Sequence, residues 1–200
     1  MMTPRHALCA LAAAAAISLA APARADIVFT IGNVPQTDEN VLLNSGETGN
    51  TVFGETNQTS TVVRFDSTQT ITLPANGQAR VEADMGDLTN VAISVPGFSF
   101  TSIIFNPRSG DGDLDVTVSA SDGVFGFSYP LGNGQNFLTI TAINGETIFS
   151  VALSADDGFA DLRQVRIGGL AAIVDVPVPM SLALFGMGLA GLGLAVRRRA

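Results

Sequence analysis

The chain has 200 residues, of which 46% are hydrophobic, and its formal net charge is −8. All ten basic residues are Arg, and all 18 acidic residues lie between Asp26 and Asp175 together with only five of those Arg. This middle region therefore carries a net charge of −13, which excludes a nucleic-acid partner because phosphate binding needs a basic face. The only Cys and the only His, Cys9 and His6, lie within the first ten residues.

The first 25 residues have the three parts of a secretory signal peptide. Arg5 supplies the positive start, and residues 7–21 form an apolar stretch rich in Ala and Leu. Ala23 and Ala25 then form the small-x-small pattern that signal peptidase recognises, so cleavage would leave Asp26 as the new N-terminus. We therefore predict export, and the alternative is a short membrane anchor that stays attached.

The last 25 residues, 176–200, combine a Pro-containing motif, an apolar span and an Arg cluster. The 17 residues 180–196 carry no charge, and as a helix of about 25 Å they are at the short limit for crossing a bilayer core of about 30 Å. The Arg cluster would act as a stop-transfer signal on the cytoplasmic side, with the bulk of the chain outside. The motif is Val176, Pro177, Val178, Pro179, Met180 and Ser181, and the cluster is Arg197, Arg198 and Arg199.

This C-terminal arrangement resembles the PEP-CTERM sorting signal, which usually reads Val-Pro-Glu-Pro-Ala-Ser before a similar helix. Val178 stands where Glu is usual and Met180 where Ala is usual, and an apolar residue between the prolines is closer to the VPLPA-type variant. The resemblance implies recognition by an exosortase-type membrane protease, with cleavage near Pro179. It also implies Gram-negative export linked to exopolysaccharide or biofilm matrix. A generic tail anchor is the alternative.

Residues 26–175 show no 3.6-residue periodicity and predict an all-β domain, because short apolar-alternating runs are separated by Gly-, Asn- and Pro-containing turns. We expect a β-sandwich of two packed antiparallel sheets, with Leu114, Val116 and Val118 facing the core and a long polar loop over 38–58. The predicted strands are 27–31, 61–65, 70–73, 79–85, 91–95, 99–105, 114–119, 124–128, 137–142, 147–153 and 164–167.

The dipeptide Asn144-Gly145 is the strongest turn signal of this domain. It favours a type I′ turn, which predicts that 137–142 pairs with 147–153 as a hairpin. The blocks 136–153 and 159–168 also resemble the last strands of many PEP-CTERM exported domains. That second resemblance implies a jelly-roll-like sandwich and no particular activity.

The residue types that are missing after residue 25 exclude most catalytic chemistry. Without His or Cys, Ser-His-Asp and Cys-His catalysis and His-based zinc sites are excluded. Without Lys, Schiff-base chemistry and a Walker-type phosphate loop are excluded as well. Carboxylate pairs such as Glu82 and Asp84 remain for glycoside cleavage, but residues i and i+2 of a strand simply share a face. We therefore expect no enzyme.

Asp111, Asp113 and Asp115 form the most suggestive polar cluster, because their spacing superficially follows a calcium-binding loop. Val116, however, occupies the position that needs Gly, and Asp122 replaces the bidentate Glu. The alternative is a turn that feeds a strand with acidic groups on its solvated face. Apart from this candidate Ca²⁺, we expect no cofactor.

Together these patterns predict an exported surface or extracellular-matrix protein with a structural or adhesive role, divided into residues 1–25, 26–175 and 176–200. It would be anchored in the inner membrane as an intermediate and then reach the cell surface or matrix. The expected partners are signal peptidase, an exosortase-type protease, the membrane in transit and exopolysaccharide. The alternative function is a carbohydrate- or Ca²⁺-dependent binding module for exopolysaccharide, and a carboxylate-based polysaccharide-active enzyme ranks third.

If both terminal signals are processed, the mature native protein begins at Asp26 and ends near Pro179. Mass spectrometry of the protein isolated from its own cells measures both ends directly. A mature product that still ends in Arg197-Arg198-Arg199-Ala200 would contradict the sorting prediction.

Overall fold

The computed structural model describes residues 26–36, 38–43, 45–75 and 79–173, and every regular element in these ranges is a β-strand. The prediction of an all-β, antiparallel domain is confirmed, whereas the jelly-roll arrangement stays a prediction. The strands are β1 (Asp26–Ile31), β2 (Asp38–Leu42), β3 (Thr48–Thr56), β4 (Val62–Thr72), β5 (Arg80–Ala83), β6 (Leu88–Ser94), β7 (Phe98–Ser99), β8 (Ser102–Gly110), β9 (Asp113–Ala120), β10 (Gly123–Pro130), β11 (Leu138–Ile143), β12 (Ile148–Gly168) and β13 (Ala171–Ala172).

Eleven strands form one continuous antiparallel ladder that doubles over into two layers. We call sheet I the layer of β1, β11, β8, the second half of β12 and β2. Sheet II is the layer of β10, β9, the first half of β12, β6, β4 and β3. The two sheets are joined at one edge, because β5 pairs with both β4 and β12 and β2 pairs with β3.

The strand β12 belongs to both sheets. Its first half pairs with β9 and β6, and its second half pairs with β8, β2 and β5. The register shifts between Ser154 and Phe159, and Gly158 between them has a φ of 76°, a left-handed conformation that glycine adopts without a steric penalty. The predicted strands 147–153 and 164–167 are therefore two parts of a single strand.

One apolar cluster fills the space between the sheets. Phe65 of sheet II and Phe105 of sheet I are both fully buried in it. Leu114, Val116 and Val118 are also buried, so the core face that alternation predicted for 114–119 is confirmed. This shared core fixes which side of each strand points outwards.

The prediction of a loop over 38–58 is wrong, because this segment forms β2 and β3. In β3 the inward positions are Val52, Gly54 and Thr56. Only one of these three is a large apolar residue, and the outward positions are mostly polar. The alternation was therefore too weak to be recognised from side-chain hydropathy.

The turn at Asn144-Gly145 is confirmed, but the hairpin predicted across it is wrong. Asn144 and Gly145 have φ values of 57° and 88°, and the Glu146 amide donates to the Ile143 carbonyl at 3.1 Å. The flanking strands nevertheless diverge, since β11 pairs with β1 and β8 in sheet I while β12 starts in sheet II.

The segment Phe100-Thr101 takes the place of the missing hairpin ladder. The Phe100 amide donates to the Ile148 carbonyl at 3.0 Å, and the Ile148 amide returns a bond to Phe100 at 2.8 Å. The Thr101 carbonyl accepts from the Ala142 amide at 2.8 Å. The segments on either side of the turn thus form backbone hydrogen bonds with Phe100 and Thr101 instead of with each other. Phe100 and Thr101 also separate β7 from β8, so the predicted strand 99–105 is divided in two.

Gly54→Ala should lower the free energy of unfolding by about 1–3 kcal/mol, because overpacking forces neighbouring groups to shift. A Cβ at Gly54 would lie 2.8 Å from the Leu42 carbonyl oxygen and 2.8 Å from Leu43 Cδ2. Gly126→Ala is the matched control on exposed β10, where a Cβ has no neighbour within 4 Å. Urea unfolding measures both variants, and equal midpoints would contradict the close packing of β2 against β3.

Candidate functional site

The outer face of sheet II carries an open trough of about 370 Å³ that crosses β3, β4, β6 and β12. Strand registers determine its composition, because alternate side chains point outwards. One outward row across the sheet is Thr51, Asp66, Ala92, Ala152, Thr117 and Gly126. The neighbouring row is Phe53, Arg64, Ser94, Ser150, Ser119 and Val124. Six strands at a spacing of about 4.8 Å make this face about 24 Å wide.

Small side chains make the floor of the trough, and larger polar ones form its wall on the β3–β4 side. Ala92 and Ala152 lie side by side on the floor, whereas Asp66 stands beside Ala92 on the next strand. The floor is low because these residues have no side chain beyond Cβ. The outer surface of the sheet is therefore concave at these positions.

Asp66 is the centre of the polar wall. Its Oδ1 accepts hydrogen bonds from Thr51 Oγ1 at 2.7 Å and from Arg64 Nε and Nη2 at 3.0 and 2.8 Å. Its Oδ2 has no hydrogen-bond partner in the part of the chain that the structure describes, and about one third of the side chain is exposed. Asp66 thus offers one acceptor oxygen while the other is held in place.

Two asparagine side chains hold the rest of the wall. Asn50 Nδ2 lies 3.0 to 3.3 Å from the carbonyl oxygens of Ser67, Thr68 and Gln69, and Asn90 Oδ1 accepts from the Thr68 amide at 2.9 Å. These amides bond to the stretch of β4 that lies between its pairings with β6 and β5. They satisfy backbone groups and so make the wall rigid, which reduces the entropy lost when a ligand binds.

Phe53 is an exposed aromatic side chain two residues after Thr51 on the outer face of β3, outside the lining of the trough. It is directly opposite Arg64 and is 41% exposed. Phe53 was not identified from the sequence, because it lies in the segment 38–58 that was predicted to be a loop. Its neighbour Val52 is apolar as well, so no alternation of apolar and polar residues marked it. Tyr129, by contrast, is buried against Phe127 and its hydroxyl donates to the Asn136 carbonyl at 2.9 Å. Burial raises the pKa of Tyr129.

The three aspartates of the candidate calcium site lie along the start of β9 and in the turn before it. Asp113 and Asp115 are outward residues of β9, and Asp111 is exposed in the turn that precedes it. Within the described ranges, no three His, Cys, Asp or Glu side chains are grouped so as to hold a metal ion. The arrangement corresponds to the alternative, a turn feeding a strand with acidic groups on its solvated face, and calcium binding stays a prediction.

Two carboxylates of the described residues have a shifted pKa, and both shifts are downward. Burial alone would raise the pKa of Glu146, but hydrogen bonds from the Ser121 hydroxyl and from the amides of Asp122, Thr147 and Ser121 lower it below 4.5. Burial likewise opposes hydrogen bonds from the Thr59 amide and hydroxyl, the Thr56 hydroxyl and the Gln58 amide, which together lower the pKa of Glu39.

These shifts are opposite to the raised pKa that a glycosidase general acid needs. The candidate pair Glu82 and Asp84 also lacks the arrangement of such a site, because Glu82 forms an ion pair with Arg80 while Asp84 lies exposed beyond the end of β5.

Comparison with known proteins finds no matching family model and no matching curated protein. A family 29 carbohydrate-binding module from Piromyces equi aligns at 8% identity over 76% of this chain and 96% of that chain, with a TM-score of 0.33. A second family 29 module, a point mutant complexed with mannohexaose, aligns at 14% identity over 74% and 90% of the two chains, with a TM-score of 0.27. Because these TM-scores are low, we infer no function from this similarity.

The predicted sites at the two ends lie outside the described residues, except for Asp26. The signal-peptide residues Ala23 and Ala25 precede that part of the chain, and the sorting motif that starts at Val176 and the stop-transfer cluster that starts at Arg197 follow it. Asp26 is the first residue of β1 and is exposed. In the described ranges, no helix is long and apolar enough to span a membrane.

Ser121→Ala should destabilise the protein by about 1–2 kcal/mol at neutral pH, because it removes a hydrogen bond to the ionised Glu146. The pKa of Glu146 is lowered by folding, so its contribution is present above about pH 4.5 and is lost as the pH falls through the folded-state pKa. Urea unfolding at pH 7 and near pH 3 should therefore show a smaller difference from the parent at the lower pH.

The control for this comparison is Ser128→Ala, on an exposed position of β10. It should leave the free energy of unfolding unchanged at both pH values. A Ser121→Ala effect of equal size at pH 3 and pH 7 would show that the Glu146 charge is not involved.

Proposed function

We propose that residues 26–175 form a non-catalytic polysaccharide-binding domain of an exported surface or matrix protein. The trough on the outer face of sheet II is the observation that carries this proposal. It is open to solvent, crosses several strands and presents polar groups along one wall. A groove of this shape admits a long chain at any point along its length, whereas a closed pocket admits only a chain end.

The polar wall has the chemistry that sugar hydroxyls need. Asp66 Oδ2 is a charged acceptor without a partner in the described ranges, and the Arg64 guanidinium beside it is 46% exposed. Hydrogen bonds in which one partner is ionised are about twice as strong as neutral ones. The Asp66–Arg64 pair therefore offers an acceptor and a donor that are already oriented for a sugar ring lying on Ala92 and Ala152.

Phe53 supplies the apolar component of this surface. Sugar rings have an apolar face that packs on aromatic side chains, and Phe53 is exposed next to Arg64. The shortage of Trp and Tyr leaves only weak stacking, so we expect modest affinity for a single chain. Modest affinity suits a matrix protein that gains strength from many copies acting on one polymer.

Export and sorting complete the proposed function. The signal peptide ending at Ala25 would direct the chain through the inner membrane, and the motif from Val176 to Ser181 would present it to an exosortase-type protease. The Arg cluster would keep the unprocessed intermediate in the membrane. Release near Pro179 would then place the polysaccharide-binding domain at the cell surface or in the matrix.

Binding of mannohexaose and cellohexaose to the full-length protein, measured by isothermal titration calorimetry, tests the trough. Ala152→Leu should weaken binding about tenfold, or about 1.4 kcal/mol, because the longer side chain fills the floor. Ala152 is exposed on β12, so the variant should fold. Thr30→Leu, at an exposed position of β1 in sheet I, is the matched control and should bind like the parent.

Equal affinity of the parent and Ala152→Leu for a sugar that binds would contradict the trough as the site. Failure of these neutral oligosaccharides and of a glycan array to bind would contradict the proposed function itself. Each titration is repeated with calcium and with a chelator. Binding that requires calcium would move the site to Asp111, Asp113 and Asp115, and an unchanged melting temperature with added calcium would remove that alternative.

A further inference from the structure

A second concave site lies on the opposite side of the molecule, on the outer face of sheet I. It is a pocket of about 340 Å³ and is lined by Asn106, Arg108, Gly134, Gln135, Arg163 and Gln164. Every lining residue except Gly134 has an amide or guanidinium side chain. The pocket therefore presents mainly hydrogen-bond donors, and it contains no carboxylate among its lining residues.

The positive charge at this pocket contrasts with the rest of the domain. Residues 26–175 carry a net charge of −13 with only five Arg. Two of those five, Arg108 and Arg163, line this one pocket. Opposite charge concentrated in a concave site attracts anions locally even when the whole domain is acidic.

Strand pairing brings the two guanidinium groups to the same pocket. Arg108 of β8 is directly opposite Asp161 of β12, and Arg163 is opposite Asn106. Arg108 and Arg163 are therefore diagonal neighbours, and such positions lie about 7–8 Å apart. Both guanidinium groups therefore contribute positive charge to one concave site.

Asp161 neutralises only one of these two Arg residues. It is buried, at 5% exposure, and both of its oxygens accept hydrogen bonds from Arg163. This bidentate pair fixes the Arg163 guanidinium and satisfies the buried carboxylate. Arg108 is exposed and forms no ion pair with any residue in the described part of the chain. It remains the positive group that a ligand can reach.

A bulge in β12 positions Gln164, one of the amide side chains that line the pocket. The register shifts between Arg163 and Arg166, and Gln164 between them has a φ of 52°. A residue other than Gly is strained in this left-handed conformation, but a bulge of this kind re-aims a side chain. Asn106, which is 2% exposed, accepts a hydrogen bond from the Asn136 amide at 2.8 Å and is thereby fixed beside Gln164.

We propose that this pocket binds a single carboxylate group, with Arg108 as the principal ligand-binding residue and Gln164 as a second donor. The group belongs to a uronic acid of a sparsely charged polysaccharide or to a small free organic acid. A densely charged polyanion is disfavoured, because residues 26–175 carry a net charge of −13 that repels every further negative charge. This site lies on the sheet opposite the trough and does not depend on the function proposed for it.

Glucuronate and glucose are the matched probes, because they differ only in the carboxylate. Calorimetric titration of the full-length protein at about 0.05 M salt should show saturable binding of glucuronate and none of glucose. Raising the salt to about 0.5 M should weaken glucuronate binding severalfold, because salt screens the attraction to Arg108. Failure of glucuronate to bind, or equal binding of glucose, would overturn the proposal.

Arg108→Gln should weaken glucuronate binding at least tenfold and leave the melting temperature unchanged, because Arg108 is exposed and has no ion pair within the described ranges. Arg166→Gln is the matched control, since it removes the same charge from sheet I outside the pocket and should change affinity less than twofold. Equal losses in both variants would show a general charge effect and overturn the site.

The variant Gln164→Gly tests whether the Gln164 side chain contributes to glucuronate binding without contributing to stability. Glycine relieves the left-handed strain, so the melting temperature should equal or exceed that of the parent, while glucuronate affinity should fall at least threefold. A variant that binds as tightly as the parent would overturn the role of Gln164. An oligosaccharide that carries one glucuronate tests the source of the carboxylate: tighter binding than free glucuronate assigns the pocket to a polysaccharide, and equal binding assigns it to a free organic acid.

The variants distinguish a wrong assignment of this pocket from a wrong assignment of the trough. Arg108→Gln should not change binding of a neutral hexasaccharide, and Ala152→Leu should not change binding of glucuronate. A variant that abolished both activities would show a single site and overturn the assignment of two.

Discussion

The hydrogen bonding of β12 to both layers is the constraint on which the other features of this domain depend. One strand of 21 residues contributes its first half to sheet II and its second half to sheet I. Gly158 makes this passage possible, because its left-handed backbone turns the strand where the register shifts. A shift of β12 by one residue would reverse the inward and outward side chains of both halves.

The two candidate sites are consequences of that shared strand. Ala152, in its first half, lies on the floor of the trough, and Arg163 and Gln164, in its second half, line the pocket. The sites lie on opposite outer faces, because both inner faces are occupied by the core. If both proposed sites bind, the domain could hold two polymer segments at once, one by hydroxyl groups and one by a carboxylate.

Local patterns predicted the parts of the fold that depend on local geometry. The alternation of Leu114, Val116 and Val118 identified the core face, because side-chain direction along a strand has a fixed period of two. Asn144-Gly145 identified a turn, because both residues tolerate positive φ. The partner of the following strand was predicted wrongly, since Phe100 supplies the hydrogen bonds that a hairpin would have formed, and nothing near the turn encodes that contact.

The sequence by itself determined which reactive side chains residues 26–175 lack and the class of their secondary structure. The absence of His, Cys and Lys after residue 25 and the period-two patterning are properties of residue types in order, which no folding can change. The tertiary structure alone decided which residues act together. Asp66 meets Thr51 across β3 and β4, and Arg108 and Arg163 line one pocket across β8 and β12. Such pairs depend on the register of strands that are far apart in sequence, and that register is set by the packing of the whole core.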